Sequence, residues 1–347
     1  MELGQIRFIN EKEAKTLIDM PTCVDLMERC FREYGKGRVE HPVKLHLSLR
    51  PEYDSYLNSM PSFLKDSNLM GVKLAGCTKK NTSRGLPTSI GIIVLFHPEN
   101  GVPYAVVDGT FITAIRTGAI VGLQAKYLAK KGAKVLAVIG AGAQGFTSLE
   151  AIQAALKGAI EEVRIVDVNP QMIEKYKARA AAAFPKVKVV VKESIQEACS
   201  GADIVASCAN AGKPLLMGIE FDKGAHVISV SERIQSPKWI KETFTKMTSD
   251  FPECLITREN QENLWAAQQK GEEPVVLHAG MIDEILSDII VGKAKGRETE
   301  NDIIFSATVG MSMEDVVAAH HVYEQAEKRG LGRVLDYMDL EGFRAGK

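Results

Sequence analysis

Apolar and polar positions change rhythm twice along the chain. Near the start they follow a helical period. Asn10 and Glu13 form a cap pair that opens a helix to about Leu17. Pro21 begins another, in which Val24, Met27, Phe31 and Tyr34 share one face and Gly35 marks the end. That face reads as core packing. Between about residues 40 and 110 the period shortens to two. Val43–Leu49 alternates apolar with polar, and Gly71–Ala75 and Thr88–Phe96 follow. Pro98–Gly101 signals a hairpin turn, with Val102–Val107 as the return strand. This region predicts a small, mainly antiparallel sheet.

The helical rhythm returns over Ile112–Leu128. Its small residues (Ala114, Gly118, Ala119, Gly122, Ala125) let it pack closely against another backbone, and Lys131-Gly132 ends it. From residue 135 onward, apolar runs at 135–139, 163–168, 187–191, 203–208, 226–230 and 246–249 alternate with helical segments such as Pro170–Phe184. That alternation predicts a parallel sheet covered on both faces. Asp302–Thr308 adds a late strand, and a final helix over Glu314–Arg329 lies outside the alternation. It is expected to return to the first domain. The predicted class is therefore α/β, a Rossmann-type doubly wound parallel sheet with a smaller α+β domain.

The strongest chemical signal opens that alternation. An apolar run ends in Gly140-Ala-Gly142-Ala-Gln-Gly145, followed by a helical pattern. A strand, a tight glycine turn and a helix N-terminus cradle a dinucleotide pyrophosphate. Gly140 permits the turn, Gly142 admits the phosphates and Gly145 lets the helix pack on the strand. Exposed N–H groups and the helix dipole favour the anion. The next strand run ends in Asp167, about 22 residues past Gly145. An acid there accepts from the ribose hydroxyls and repels a 2′-phosphate, which argues for NAD over NADP. The candidate nucleotide contacts are Gly140, Gly142, Ala143, Gln144, Asp167, Val168, Asn169, Ser207, Cys208, Ala209, Val230 and Ser231.

Composition changes this picture little. The 347 residues suit two domains and a large core. Apolar content of 45% and a net charge of −1 fit an ordinary globular protein, with no basic balance toward nucleic acid. The start is too polar for a secretory signal, and no apolar stretch is long enough for a membrane span. Six unpaired-looking cysteines read as reduced thiols in a cytoplasmic protein. No metal-ligand cluster is evident, and His320-His321 reads as helix surface or core.

Three cations occupy promising places: Lys44 after Pro42, Lys73 between Val72 and Leu74, and Arg116 near a helix start. A lysine flanked by apolar strand residues is often simply solvent-facing. A substrate carboxylate, however, needs Arg or Lys donors, and a desolvated lysine can serve as acid or base.

Several stretches together resemble the ornithine cyclodeaminase/mu-crystallin family. They are Pro42-Val-Lys44, Met60-Pro61, Val72-Lys73, Asn81 with Gly85-Leu-Pro-Thr88, Asn100-Gly-Val-Pro103, Thr113-Ala-Ile-Arg-Thr-Gly-Ala119, the Gly140 loop with Gln144, and Val309-Gly-Met-Ser-Met-Glu-Asp315. The resemblance implies a homodimer in which residues 1–122 and 309–347 bind substrate and dimerise, while 123–308 bind NAD. It implies an oxidoreductase acting on the C–N bond of an amino or imino acid. Ornithine cyclodeaminase and a non-catalytic nucleotide-bound binding protein remain alternatives. Lys73 matches the family's catalytic lysine, and Arg116 the arginine that meets substrate carboxylate and cofactor. Thr88, Thr117 and Thr308 match positions at the cofactor. The pattern departs in three places. Lys44 replaces a carboxylate-binding arginine, losing the bidentate fork. Glu232 and Arg233 stand where cyclodeaminases and alanine dehydrogenases carry an aspartate, and Ala307 where many members carry an acid. An ornithine side-chain ammonium would want those carboxylates.

Overall fold

The computed structural model describes residues 2–50, 52–211, 213–230, 234, 236–339 and 342. The chain divides into two compact units, one of residues 1–116 and 311–347, the other of 117–310.

The first unit is built on one sheet. From edge to edge its strands are Arg333–Asp336, Gln5–Ile9, Pro103–Asp108, Ser89–Phe96, Leu69–Thr78, Ser55–Leu64 and Val39–Glu40, with Leu45–Ser48 also pairing Ser55–Leu64. All pairs are antiparallel except Gln5–Ile9 with Pro103–Asp108. The Pro98–Gly101 turn joins two of them as the sequence indicates, with Gly101 at a φ of 73°.

Ser55–Leu64 is a ten-residue strand that the alternation over residues 40–110 does not single out. Pro61 hides it, because proline cannot donate to a ladder. The pairing accommodates this. Short strands cover residues 56–59 and 63–64 on one side of Ser55–Leu64, leaving Pro61 in the gap between them.

Helices Met20–Gly35 and Ser312–Arg329 belong to the same unit. The observed cap at Asn10 is the reciprocal pair with Glu13, and Val24, Met27 and Phe31 are buried as the helical period indicates. The C-terminal helix lies against the sheet's inner face. Gly71 makes room for it: a Cβ there would stand 2.9 Å from Val316 Cγ2.

The second unit holds an eight-stranded sheet in which every pair is parallel. Its order is Lys188–Val191, Glu162–Val166, Val135–Ile139, Ile204–Ser207, His226–Ser229, Ile304–Ala307, Lys246–Ser249 and Glu284–Ile285. From Val135–Ile139 the chain steps outward twice to one side, then crosses to Ile204–Ser207 on the other. That reversal is the switch point of a doubly wound fold, the place where such sheets bind ligands. Helix Thr110–Leu128 carries the chain from one unit into the other. In the second unit its Gly118 and Gly122 meet the helix Ala143–Ala155. Added Cβ atoms would lie 2.8 Å from Thr147 O and 2.5 Å from Ala151 O.

Candidate active site

At the switch point, Val135–Ile139 gives way to Gly140 and then to the helix Ala143–Ala155. Gly140 has a φ of 104°, open only to glycine at low cost, and a Cβ there would press on Ala209 N at 2.8 Å. Gly145 passes directly against Gly140 O, so a side chain there would prise helix from strand. Gly142 differs: a Cβ added to it would meet nothing within 4 Å. It is also the helix N-cap, without a side-chain cap hydrogen bond. The first turn therefore offers uncapped N–H groups facing open space, which fits a pyrophosphate.

Asp167 stands beside this loop. Its Oδ2 accepts from Ala141 N–H at 2.7 Å and its Oδ1 from Asn169 N–H at 2.8 Å. Each carboxylate oxygen has a second lone pair, so ribose hydroxyls still find acceptors. Val168 beside it is fully exposed. Gln144 is half-buried in the first turn. Across the switch point, Cys208 N–H donates to Ile139 O at 2.8 Å, which fixes the Ser207–Ala209 segment next to Gly140. Burial pushes the Cys208 thiol up to about 12, so it stays neutral. Val230 and Thr308 follow the next two strand ends, paired through Ser229↔Ala307. Thr308 is buried, and its Oγ1 donates to Gln124 Oε1 at 3.1 Å. Thr117 is buried in this unit as well.

In the first unit, Lys73 points inward from Leu69–Thr78 and is 2% exposed, whereas its neighbour Leu74 is 37% exposed. The usual facing of such a strand is inverted. Lys73 Nζ lies 2.6 Å from Asp315 Oδ2 and 3.4 Å from Thr113 Oγ1. Arg116 donates through Nε to Asp315 Oδ1 at 2.9 Å and through Nη1 to Glu314 Oε2 at 2.8 Å. Glu314 and Asp315 are wholly buried. Buried charges are tolerable only when paired, and here two cations meet two carboxylates.

Local sequence puts each partner in place. Asp108 caps the helix start, accepting from Thr110 and Phe111 N–H groups at 3.1 and 2.8 Å. Thr113 and Arg116, three apart, then share a helix face. Ser312 Oγ donates to Pro61 O at 2.7 Å, docking the first turn that carries Glu314 and Asp315. Burial, above all, lowers the Lys73 ammonium to about 8, and Arg116 pushes the same way, while Asp315 opposes both.

Lys44 sits one residue before the strand Leu45–Ser48, not within it. Extending the Leu45↔Ser59 register by one sets Lys44 beside Met60, which pairs Lys73. Lys44 is half-buried, and its charge helps depress Lys73. It adds a third cation to the surroundings of Lys73 and Arg116.

Residues 6–330 match the pattern of the ornithine cyclodeaminase/mu-crystallin family. The chain belongs to that family. A Delta(1)-pyrroline-2-carboxylate reductase of Bacillus cereus is 29% identical over 95% of this chain and 99% of its own length. Among solved structures, the Thermococcus litoralis Delta(1)-pyrroline-2-carboxylate reductase in complex with NADH and L-proline superposes with a TM-score of 0.85 at 29% identity, covering 94% of this chain and 99% of that one. An archaeal alanine dehydrogenase dimer with bound NAD gives 0.82 at 25% identity, covering 96% and 100%.

The remaining sequence-derived candidates fall as follows. Thr88 belongs to the first unit, where its carbonyl accepts from Thr78 N–H at 2.9 Å. Ser231, Glu232 and Arg233 lie outside the described residues. Sequence reasoning gave no role to Glu314, Asp315 or Thr113, although each sits in a stretch that carries the family resemblance. Acids in a first helix turn suit the dipole and need no further reason. Only the fold shows that these two turn inward. Among the described residues, no group of three or more His, Cys, Asp or Glu side chains could hold a metal ion.

Proposed function

We propose that this chain is an NAD-dependent oxidoreductase acting on the C–N bond of an amino or imino acid. The observation that carries the reading is Lys73, a buried lysine at about 8 beside Arg116, with Lys44 on the same sheet face. The substrates in the names of the pyrroline-carboxylate reductases and alanine dehydrogenase support it.

The first unit would hold the substrate and the second the nucleotide. Gly140, Gly142, Ala143 and Gln144 would hold the NAD pyrophosphate, Asp167 the adenosine ribose, and Thr308 and Ser207–Ala209 the nicotinamide end. Bound NAD supplies the hydride donor or acceptor. Lys44 and Arg116 meet the substrate carboxylate. Lys73, lowered toward neutrality, gives a proton to the substrate nitrogen or takes one from it or from an attacking water. Desolvation around Lys73 strengthens both interactions.

We further propose a homodimer formed through the outer face of the first sheet. Leu45, Leu47, Leu57, Leu74, Ile90 and Ile92 are 37–68% exposed there. Leu47 pairs Leu57 and Leu74 pairs Ile92, so the patch is continuous. A patch of this kind calls for a partner, and a second copy is the simplest. No described helix is long and apolar enough to cross a membrane. With all six cysteines free, the cytoplasm is the proposed compartment.

The test is a panel of cyclic imino acids, amino acids and 2-oxo acids with amines, followed at the NADH absorbance band. Stoichiometric NADH oxidation or formation supports the reading. Proline and ammonia released from ornithine without net NADH change would assign a cyclodeaminase instead. A blank across the panel, with NADH bound, would assign a binding protein.

A further inference from the structure

Two adjacent acids, Glu314 and Asp315, are turned wholly into the first unit at the start of its C-terminal helix. Burying a carboxylate is costly, and a helix dipole alone does not require it. Their partners are Lys73 and Arg116. Asp315 takes one from each: Oδ2 to Lys73 Nζ at 2.6 Å, Oδ1 to Arg116 Nε at 2.9 Å. Glu314 reaches Arg116 Nη1 at 2.8 Å. One carboxylate thus joins two residues that lie 43 positions apart in the sequence and on different elements.

We propose that Asp315 is the positioning residue of the reaction, a bridging carboxylate that aims the Lys73 amine, locks Arg116 beside it and sets how readily Lys73 holds its proton. This rests on the proposed C–N oxidoreductase reading. Asp315 touches no reacting atom; it acts through Lys73.

The charged and polar groups around Lys73 come from several elements. The C-terminal helix brings Glu314 and Asp315, the helix Thr110–Leu128 brings Thr113 and Arg116, and Lys44 stands ahead of Leu45–Ser48. Helix Met20–Gly35 brings Cys23 and Cys30, whose thiols burial drives upward and keeps neutral. Arg116 and Lys44 favour loss of the Lys73 proton, while Asp315 favours its retention. Removing the Asp315 charge takes away the carboxylate in contact with the lysine that holds its proton in place.

The experiment compares full-length wild type with Asp315→Asn and Asp315→Glu, measuring kcat, KM, NADH affinity and the pH profile of turnover. Asp315→Asn is expected to lower kcat about tenfold or more. NADH affinity should stay within about twofold, because Asp315 lies outside the nucleotide-binding residues. The limb set by Lys73 should move down by about one unit or more, the usual effect of losing an opposite charge at contact distance. Asp315→Glu keeps the charge, so its limb should stay close to that of wild type even though turnover falls. An unmoved limb in Asp315→Asn overturns the proposal, as does a strongly lowered limb in Asp315→Glu. If Asp315→Asn does not fold, Asp315→Glu decides alone. Lys73→Ala separates the two claims. Near-wild-type turnover in Lys73→Ala defeats the catalytic role of Lys73 on which the proposed mechanism rests, whereas a dead Lys73→Ala with an unmoved Asp315→Asn limb defeats only the bridging role.

Discussion

Asp167 Oδ2 accepts from the backbone N–H of Ala141 at 2.7 Å, so the acid that ends the second nucleotide strand also braces the glycine loop. One carboxylate then braces the loop and, in the proposed site, would also accept from the ribose hydroxyls. Asp167→Ala is expected to weaken NADH binding about tenfold or more, by losing a charge-assisted hydrogen bond and leaving Ala141 N–H without its carboxylate. Fluorescence titration of NADH measures this. Unchanged affinity would contradict the assignment of the site, and tight NADPH binding by wild type would contradict the cofactor choice.

The contact between Gly122 and Ala151 supplies a stability test. A Cβ at residue 122 would stand 2.5 Å from Ala151 O, in backbone that cannot yield cheaply. Gly122→Ala should cost about 1–3 kcal/mol, typical of overpacking. A lowered melting temperature checks it. Gly142→Ala meets nothing within 4 Å and should melt almost as wild type, yet lose nucleotide affinity because its methyl group enters the phosphate approach.

Lys73, held at about 8, predicts opposite pH limbs for the two directions of reaction. In reduction of an imine the lysine works as an acid and must be charged, so turnover falls as pH rises through about 8. In oxidation it works as a base and must be neutral, so turnover rises through the same region. Steady-state profiles in both directions measure this. Identical limbs would remove Lys73 from proton transfer.

The exposed sheet face predicts the assembly. Ile92→Glu places a charge amid Leu74 and its neighbours, and is expected to convert a dimer to monomer in sedimentation or light scattering. Wild type that is monomeric at micromolar concentration would refute the interface.

Much of this was legible in the sequence for clear physical reasons. The glycine loop, the parallel strands and the Asn10–Glu13 cap each depend on a few neighbouring residues, so local pattern reveals them. The alternation at 43–49 was also readable, but not which face it buried. Leu45 and Leu47 face out, while Lys44 lies on the side of Lys73. Apolar residues signal coverage, and a second copy covers as well as a core does. Ser55–Leu64 was hidden because Pro61 contradicts a central strand unless its neighbours leave a gap. The pairing of Asp315 with Lys73 was hidden because 242 residues separate them. Its motif could be quoted without its purpose.

The most direct test of the central claim is turnover by Lys73→Ala, measured beside wild type on the best substrate from the imino- and amino-acid panel with NADH titrated into both. The expected result is wild-type-like NADH affinity with turnover reduced at least about a hundredfold. Near-wild-type turnover by Lys73→Ala would contradict it.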